Sequence, residues 1–401
     1  MPSGITILCI CLLACLGYVY VLYPLMIDVL AHLRPKKWVQ DENVFPTISI
    51  LLPAFNEEEV IEKCLHSLFA LDYPKNLVEI IIGSDGSTDN TNDIITRYAA
   101  EHSNVTALCF TERRGKMLVV NELAEAAKNE ILFFTDADVK LSPNSLKMHM
   151  RHFADLGVGG VAGSYRVIAK NPDGIFDSEK SLVTTEQQLR ENESRIHSTI
   201  GMFGGNYSIR KKLWDPMPSP FVYDDVYAVL SLIRRGFRVI FEQESVAYDE
   251  HTRSLQTEFR RKSRNASFGF ASLRYFPELV WFRKGLVSIM LWSHKILRWL
   301  SPWVLLGLMI FSVLGYFTEN NLFWQTLFFG HCLVLATGAV GAISYWKGIR
   351  LPGFTDLFWF LSMQMAFIIG TLRFITDSEP QAWVQPPRAK NSAAKEEPHT
   401  P

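Results

Sequence analysis

The chain has 401 residues, with 40 Lys and Arg against 41 Asp and Glu, a net charge of -1 at neutral pH. That balance excludes the bulk basic field that draws nucleic acid. Hydrophobic residues make up 48% and crowd the first thirty-odd positions and the stretch after Leu279, so a membrane protein with a polar middle is expected. The six cysteines (Cys9, Cys11, Cys15, Cys64, Cys109, Cys332) show no paired spacing and no CxxC, which argues against zinc and against a disulfide framework. Reduced thiols fit a cytosolic middle region.

Ile5 to Leu33 is a long apolar stretch, interrupted by Asp28 and His32, and exceeds the ~20 residues a spanning helix needs. Its positive charges come afterwards, at Arg34, Lys36 and Lys37. That is a signal-anchor pattern rather than a cleaved signal peptide, and it places the following domain in the cytoplasm.

Thr47 to Pro53 (TISILLP) reads as a strand buried on both faces. Glu57, Glu58 and Glu59 follow and are expected in the first turn of a helix, where acids suit the dipole. Val60, Ile61, Cys64, Leu65 and Leu68 recur at helical spacing. VEIIIGSDGSTDNT is a second strand with a turn rich in Gly, Ser and Asp. A helix is expected from Asn92 to Ala100, a short strand over Val105 to Phe110, then a loop and helix in RRGKMLVVNELAEAAKN. Strand and helix alternate, which predicts an α/β fold with a mainly parallel sheet and helices on both faces.

The next stretch, Ile131 to Val139, reads ILFFTDADV. An apolar strand ends in Asp136 and Asp138, and residues at i and i+2 face one side of an extended chain. Both carboxylates can then share a hard divalent cation, with phosphate oxygens as further ligands. A solvated turn with two surface acids is the alternative. In an open α/β sheet such strand ends are where ligands bind.

Beyond Val139, Ser142 to Asp155 looks helical, GVGGVAGSYRVI looks like a glycine-rich strand pair, and Glu179 to Arg195 is polar and helical. FGGNYSIRKKLW, YDDVYAVLSLIRRGFRV and EFRRKSRNASFG complete the polar region. VWFRKGLVSIMLWSHKILRWL mixes tryptophans with Arg283, Lys284, His294, Lys295 and Arg298, as an interface helix does. Apolar runs follow over Pro302 to Phe317, Leu322 to Tyr345 and Phe354 to Phe374. The link at Lys347 and Arg350 is basic and the link at Glu319 is not, in agreement with a cytoplasmic middle domain. One span before the domain and three after it would put the tail outside. That tail is rich in Pro, Ala, Lys and Glu, the composition of a disordered segment. The expected divisions are therefore 1–33 (anchor), 46–278 (cytosolic domain), 279–300 (interface helix), 301–377 (bundle of about three helices) and 378–401 (disordered tail).

Several residues could carry chemistry, each with a plainer alternative. Asp85 can accept hydrogen bonds from a base or ribose at the sheet's switch point, or form an Asx turn, a role that suits Asp89 better. Lys116 can meet phosphate, or be a solvated lysine at a helix start. Gly204-Gly205-Asn206 can let backbone approach a ligand, or serve a tight turn. Asp224 and Asp225 can supply a general base, or simply complement a helix dipole. Arg260, Arg261, Lys262 and Arg264 can neutralise a departing diphosphate, or form a surface or headgroup-contacting patch.

Taken together, LLPAFNEEEVI, SDGSTDNT, RGKMLVVN, FTDADV, FGGNYSIR, YDDVYAVLSLIRRGFRV and FRRKSRNASFG resemble the membrane-bound family 2 glycosyltransferases, over roughly residues 46–272. The flanking spans resemble those of polysaccharide synthases. The resemblance implies a nucleotide-diphospho-sugar transferase (GT-A) domain. It implies that Asp85, with Ala54 and Glu57, borders the nucleoside. Asp138 binds the metal, with Asp136 beside metal and donor sugar. Asp225 takes the place of the catalytic base and Asp224 that of the acid before it. Lys116, Arg261 and Arg264 lie near the diphosphate or donor, and Gly204, Gly205 and Asn206 near the acceptor.

The implied activity is inverting transfer from a nucleotide sugar, a UDP-sugar by family expectation, to a lipid-linked or polysaccharide acceptor in cell-envelope glycan synthesis. The expected setting is the inner membrane, among membrane lipids and partner subunits of a glycan assembly system, with no nucleic acid. One departure stands out. Processive synthases carry Gln-x-x-Arg-Trp, and here the region runs from Glu258 through Arg261 to Asn265 with neither the glutamine nor the tryptophan. A processive synthase with polymer translocation and a catalytically silent assembly subunit are the alternatives.

Overall fold

The computed structural model describes residues 3–167, 176–219, 221–249, 254–319 and 321–378. The segment expected as a disordered tail lies almost wholly outside them. At the N-terminus, α1 (Gly4–Gly17) and α2 (Tyr23–Leu33) join through a π turn at Tyr18–Leu22 into one apolar rod of 30 residues. Pro24 lacks an N–H and sits in the first turn of α2, so the helical ladder widens just before it.

The polar middle alternates as the sequence predicts: β1 (Ile48–Ala54), α3 (Ile61–Phe69), β2 (Val78–Asp85), α4 (Thr91–Glu101), β3 (Val105–Phe110), α5 (Lys116–Ala126) and β4 (Ile131–Phe134). Then come β5 (Val139–Leu141), α6 (Ser145–Met150), β6 (Val158–Val167), α7 (Phe176–Ile196), β7 (Tyr207–Arg210), α8 (Asp224–Arg234), β8 (Arg238–Asp249) and α9 (Leu255–Leu273). The described strands form one sheet in the order β3-β2-β1-β4-β7-β6-β8-β5. The first four are parallel, and β6 pairs parallel with β8. The remaining pairings, β4 with β7, β7 with β6 and β5 with β8, are antiparallel.

Strand alternation divides the core between the two faces of the sheet. Ile50, Leu52, Ile80, Ile82 and Phe133 are buried with α3 and α6 residues on one face. Leu51, Ile81, Leu132 and Phe134 are buried with Val119, Leu123 and α8 on the other. Apolar residues on both faces are what a parallel strand covered on both sides requires.

Two local expectations change. Glu57, Glu58 and Glu59 precede α3 rather than fill its first turn, because Asn56 turns the chain at φ 53° and the N–H groups of Glu57 and Glu58 donate to Thr91 Oγ1 (2.8 Å) and Asp89 (3.1 Å). Within GVGGVAGSYRVI, Val158–Val167 form the single strand β6 rather than a pair.

After α9 come α10 (Pro277–Val280), α11 (Leu286–Leu291) and α12 (Leu297–Thr318), then α13 (Leu322–Trp346) and α14 (Phe354–Ile375). Among the described residues four helical stretches are long and apolar enough to cross a membrane: Gly4–Leu33, Leu286–Thr318, Leu322–Trp346 and Phe354–Ile375. The expected interface helix over 279–300 is not one helix. Phe282 and Gly285 have positive φ and break it, and from Leu286 it runs through a π turn into α12. Its basic residues do not all face outward either, since His294 is 1% exposed. Pro302 leaves the Arg298 carbonyl without its helical donor, and the Ser301 hydroxyl donates to that carbonyl at 2.8 Å.

The ends of the bundle meet at one residue. Phe270 of α9 packs against Trp299, at the start of α12, and against Phe374, at the end of α14. Arg373 donates to Ser263 Oγ at 3.2 Å and Arg274 pairs with Asp377 at 3.5 Å. The last described turn therefore lies beside α9, where α12 begins.

Candidate active site

The carboxyl ends of β1, β2 and β4 open on one side of the sheet, the place where α/β sheets bind ligands. The loops there are stitched together by the polar residues of the two turn motifs. Asn56 Oδ1 accepts from Thr88 N (2.8 Å), Glu58 Oε2 accepts from Asn90 N (3.0 Å), and Asp89 Oδ1 accepts from Thr91 N (3.0 Å). Asp89 is thus the turn residue expected. Ala54 and Glu57 are both 5% exposed at the end of β1 and just beyond it.

Asp85 is 4% exposed, and its two carboxylate oxygens accept from Arg114 N (2.7 Å) and Gly115 N (2.8 Å). Its observed partners are thus backbone. Gly115 takes φ 94°, open to glycine at little cost, and hands the chain to Lys116 as the first residue of α5. Asp85 therefore sets where Lys116 begins.

Lys116 is the residue the sequence undersells. As a solvated lysine it would be free; instead its Nζ lies 2.7 Å from Asp136 Oδ1 and 3.4 Å from Asp224 Oδ2. Burial works against its charge, but Asp136 and Asp224 outweigh burial and push its pKa up. Asp136 is raised by burial, lowered by Lys116 and raised by Asp138. Asp136 and Asp138 are both half-buried, and Val139 N donates back to Asp136 O, so a turn rather than an extended strand carries the pair.

Asp224 and Asp225 open α8 as expected. Burial first, then the Asp224 charge, pushes Asp225 up to about 8, against the opposing pull of Lys116 and Arg190. Its Oδ1 is buried without a hydrogen-bond partner among the described residues. A Cβ on Gly204 would stand 3.1 Å from that oxygen, 3.5 Å from Asp224 Oδ2 and 3.6 Å from Lys116 Nζ, so Gly204 is the floor beneath all three. Gly205 packs on Val139 instead.

Asn206, expected with them near the acceptor, is fully buried. Its Nδ2 donates to the carbonyls of Ser164 and Ser245, both at 3.0 Å, so it ties β6, β7 and β8 together rather than facing the cleft.

Arg261 and Arg264, the two α9 arginines expected near the donor, separate in role. Arg261 forks onto Glu258, with Nη2 2.6 Å from Oε2. Arg264 lies within electrostatic reach of Asp224 and Asp136, although burial pulls its pKa down. The nearby Asn265 Nδ2 donates to Tyr223 Oη at 3.3 Å, which holds α9 against the start of α8. Sequence reasoning passed over Arg190 of α7, which is 8% exposed and acts on Asp225. Its only signal was the i,i+4 spacing from Glu186, common on any polar helix.

No group of three or more His, Cys, Asp or Glu forms a self-sufficient metal site among the described residues. Two half-buried carboxylates at a strand end nevertheless fit a hard divalent ion that takes its other ligands from substrate phosphates. Soft-metal chemistry does not fit this all-oxygen set.

Residues 49–214 match the sequence model of glycosyl transferase family 2. Glycosyltransferase AglE of Haloferax volcanii is 28% identical over 163 residues, 40% of this chain and 53% of that protein. A Methanococcus voltae dolichyl N-acetyl-alpha-D-glucosaminyl phosphate 3-beta-D-2,3-diacetamido-2,3-dideoxy-beta-D-glucuronosyltransferase is 26% identical over 66% of this chain and 83% of its own length. Poly-beta-1,6-N-acetyl-D-glucosamine synthase of Staphylococcus aureus is 25% identical over 63% of this chain and 64% of its own length. The chain spans about half the length of the first of these relatives. Among solved structures, the mannosyltransferase PcManGT of Pyrobaculum calidifontis, in complex with GDP-Man and Mn2+, superposes with a TM-score of 0.70 at 22% identity, over 92% of this chain and 99% of that one. That likeness bears out the GT-A-type fold. With its sheet, its cleft and its sequence match in agreement, this chain carries over residues 49–214 a domain of glycosyl transferase family 2.

Proposed function

We propose that the protein is a membrane-bound inverting glycosyltransferase that moves a sugar from a nucleotide-sugar donor to a lipid-linked or polysaccharide acceptor. The observation that carries this reading is the convergence of Lys116, Asp136, Asp224 and Asp225 around Gly204. These charged residues come from three separate segments, and their charges are partly withdrawn from water at a cost that a fold without turnover gains nothing from.

In this reading Asp225 takes the proton of the acceptor hydroxyl as that oxygen bonds to the anomeric carbon. The bond from that carbon to the donor phosphate breaks, and the nucleoside diphosphate leaves with the electron pair. Arg264 and Lys116 face the charge that builds on the diphosphate. Asp138 and Asp136 would hold a divalent ion, Mg2+ or Mn2+, which supplies charge neutralisation at the diphosphate. Ala54, Glu57 and Asp85 line the nucleoside end, where Asp85 shapes the pocket through the 113–116 loop. Arg261 acts through its fork with Glu258, as a positioning residue.

The donor is read as a UDP-sugar, and the setting as the inner membrane with residues 46–278 in the cytoplasm. Arg34, Lys36, Lys37, Lys347 and Arg350 support that orientation. Ser3 and Thr6 hydrogen-bond Glu319, which sets the N-terminus and the α12–α13 turn on one face, away from the catalytic domain. Since Phe270 touches both the start of α12 and the end of α14, this reading has an even number of the last three helices complete a crossing, with Ser378 on the cytoplasmic side.

A processive synthase is the second reading, favoured by the poly-N-acetylglucosamine synthase relatives. The missing Gln-x-x-Arg-Trp weighs against it. The test is a panel of nucleotide sugars with purified full-length protein and Mg2+ or Mn2+, scored for released nucleoside diphosphate. Release with one donor, dependent on the metal, supports the transferase. No release with any donor, while the protein stays folded, ends it. Product length with labelled donor separates single transfer from polymerisation.

A further inference from the structure

Behind the catalytic acids lies a second polar cluster, where α7 meets residues 294–298 of the Leu286–Thr318 helix. Glu186 takes Arg190 Nε (3.3 Å), His294 Nε2 (2.7 Å), Lys295 Nζ (3.4 Å) and Arg298 Nη1 (2.9 Å). Burial opposes its ionisation, yet His294 and Lys295 hold it well below the usual carboxylate range. Glu193 accepts from Tyr23 Oη (2.6 Å) and Ile200 N (3.2 Å) and also meets His294 Nδ1 (2.8 Å).

Three cationic side chains and an imidazole thus face Glu186 and Glu193, with Asp225 acting on Arg190 from the catalytic side. Burying an excess of positive charge is costly unless an anion arrives. Arg190, more than nine-tenths buried, keeps its Nη1 without a hydrogen-bond partner among the described residues, and so does the Nε of Arg298. The cluster is not sealed, because the Arg298 and Glu186 side chains remain 23% and 22% exposed.

A short strip of backbone joins this cluster to the catalytic acids. At Gly201 a Cβ would meet Lys295 Nζ at 3.0 Å and Arg190 Nη2 at 3.7 Å. At Gly204 it would meet Asp225 Oδ1. The two glycines are three residues apart, at most about 10 Å of chain. One end of the strip presents a buried carboxyl, and the other presents cations beside a membrane-length helix.

We propose that Arg190, Lys295 and Arg298 bind the phosphate of a lipid-linked acceptor whose sugar lies along Gly201–Gly204 toward Asp225. This rests on the transferase reading and names its acceptor class: an anionic lipid-phosphate sugar rather than a neutral glycan. The phosphate oxygens take the unused N–H groups of the two arginines, the charge-assisted bonds that guanidinium forms best. The lipid chain then follows the Leu286–Thr318 helix into the bilayer.

The test is a binding titration on full-length protein in phosphatidylcholine nanodiscs, with farnesyl phosphate, farnesol and inorganic phosphate as probes. Farnesyl phosphate should bind at least about tenfold tighter than farnesol. Lys295→Met and Arg298→Gln should each weaken it by about tenfold, with Arg298→Lys restoring part of the loss and nucleoside diphosphate affinity unmoved. Equal binding of farnesol overturns the site, and this comparison needs no variant to fold. Displacement by inorganic phosphate at equal concentration makes the site one for free anions and overturns the lipid source. Variants that bind farnesyl phosphate as well as the parent overturn the residue assignment. Failure of every nucleotide sugar to turn over would remove the transferase reading without touching these binding results.

Discussion

Lys116 Nζ stands 2.7 Å from Asp136 Oδ1, and the same nitrogen reaches Asp224 Oδ2 at 3.4 Å. One ammonium therefore ties the end of β4 to the start of α8 and holds apart two acids that would otherwise repel. Lys116→Met should leave those acids unbalanced. We expect a stability loss of about 1–3 kcal/mol, between the values for exposed and buried pairs, because Lys116 is about a third exposed. Transfer should fall by a larger factor than stability explains. Denaturant titration and initial rates at saturating donor check this, and an unchanged rate would remove Lys116 from the site.

Asp225 carries a pH signature. A base works unprotonated, and its pKa is pushed up to about 8, so kcat/KM should climb with pH and level off only above that value. Asp225→Asn should cut transfer by about 10²–10⁴-fold while nucleotide binding stays near normal. Equal loss of both would argue against the base.

The same shift bears on stability, with the opposite sense from an ordinary salt-bridged acid. The folded carboxyl binds its proton more tightly than the unfolded one, so folding stability falls as pH rises from about 4 to about 8. Asp225→Asn removes that penalty. Its melting temperature should exceed the parent's at pH 8.5 and match it near pH 4; a constant offset at both would point to packing instead.

Gly204→Ala places a methyl 3.1 Å from Asp225 Oδ1 and 3.6 Å from Lys116 Nζ. Gly204 does not take a positive φ, so the backbone bears the change without strain. Transfer should drop by about 10–100-fold through misplaced carboxylates. Thermal melting should move little, and a large loss of stability would assign the glycine to folding rather than to space in the site.

The position of the chain's end is open to direct measurement. A protease site placed after Ser378 should be cut from the same membrane face as one placed in the loop at Lys37. Cleavage from opposite faces would mean that α14 completes a crossing in spite of its contacts with Ser263 and Phe270.

Much of the catalytic half was legible because its signals are local. Apolar runs placed β1, β2 and β4, and turn chemistry placed Asp89 in the turn after β2. The acids of α8 were read at their true position. What went astray was set by contacts remote in sequence. Asn206 sits in a small-residue run that reads as a ligand loop, yet its amide is spent on Ser164 and Ser245. The basic helix expected at the membrane surface turns His294 inward, because Glu186 and Glu193 wait there on a helix about a hundred residues earlier.

Sequence by itself determined the alternation of strands and helices, the apolar stretches and the acids available to the cleft, since each follows from residue type and short-range spacing. Only the tertiary structure decided which of those charges meet. Ion pairs such as Lys116 with Asp224, or Arg298 with Glu186, form between segments over a hundred residues apart. Their energy depends on separation and burial in three dimensions, and neither quantity is written in the order of residues along the chain.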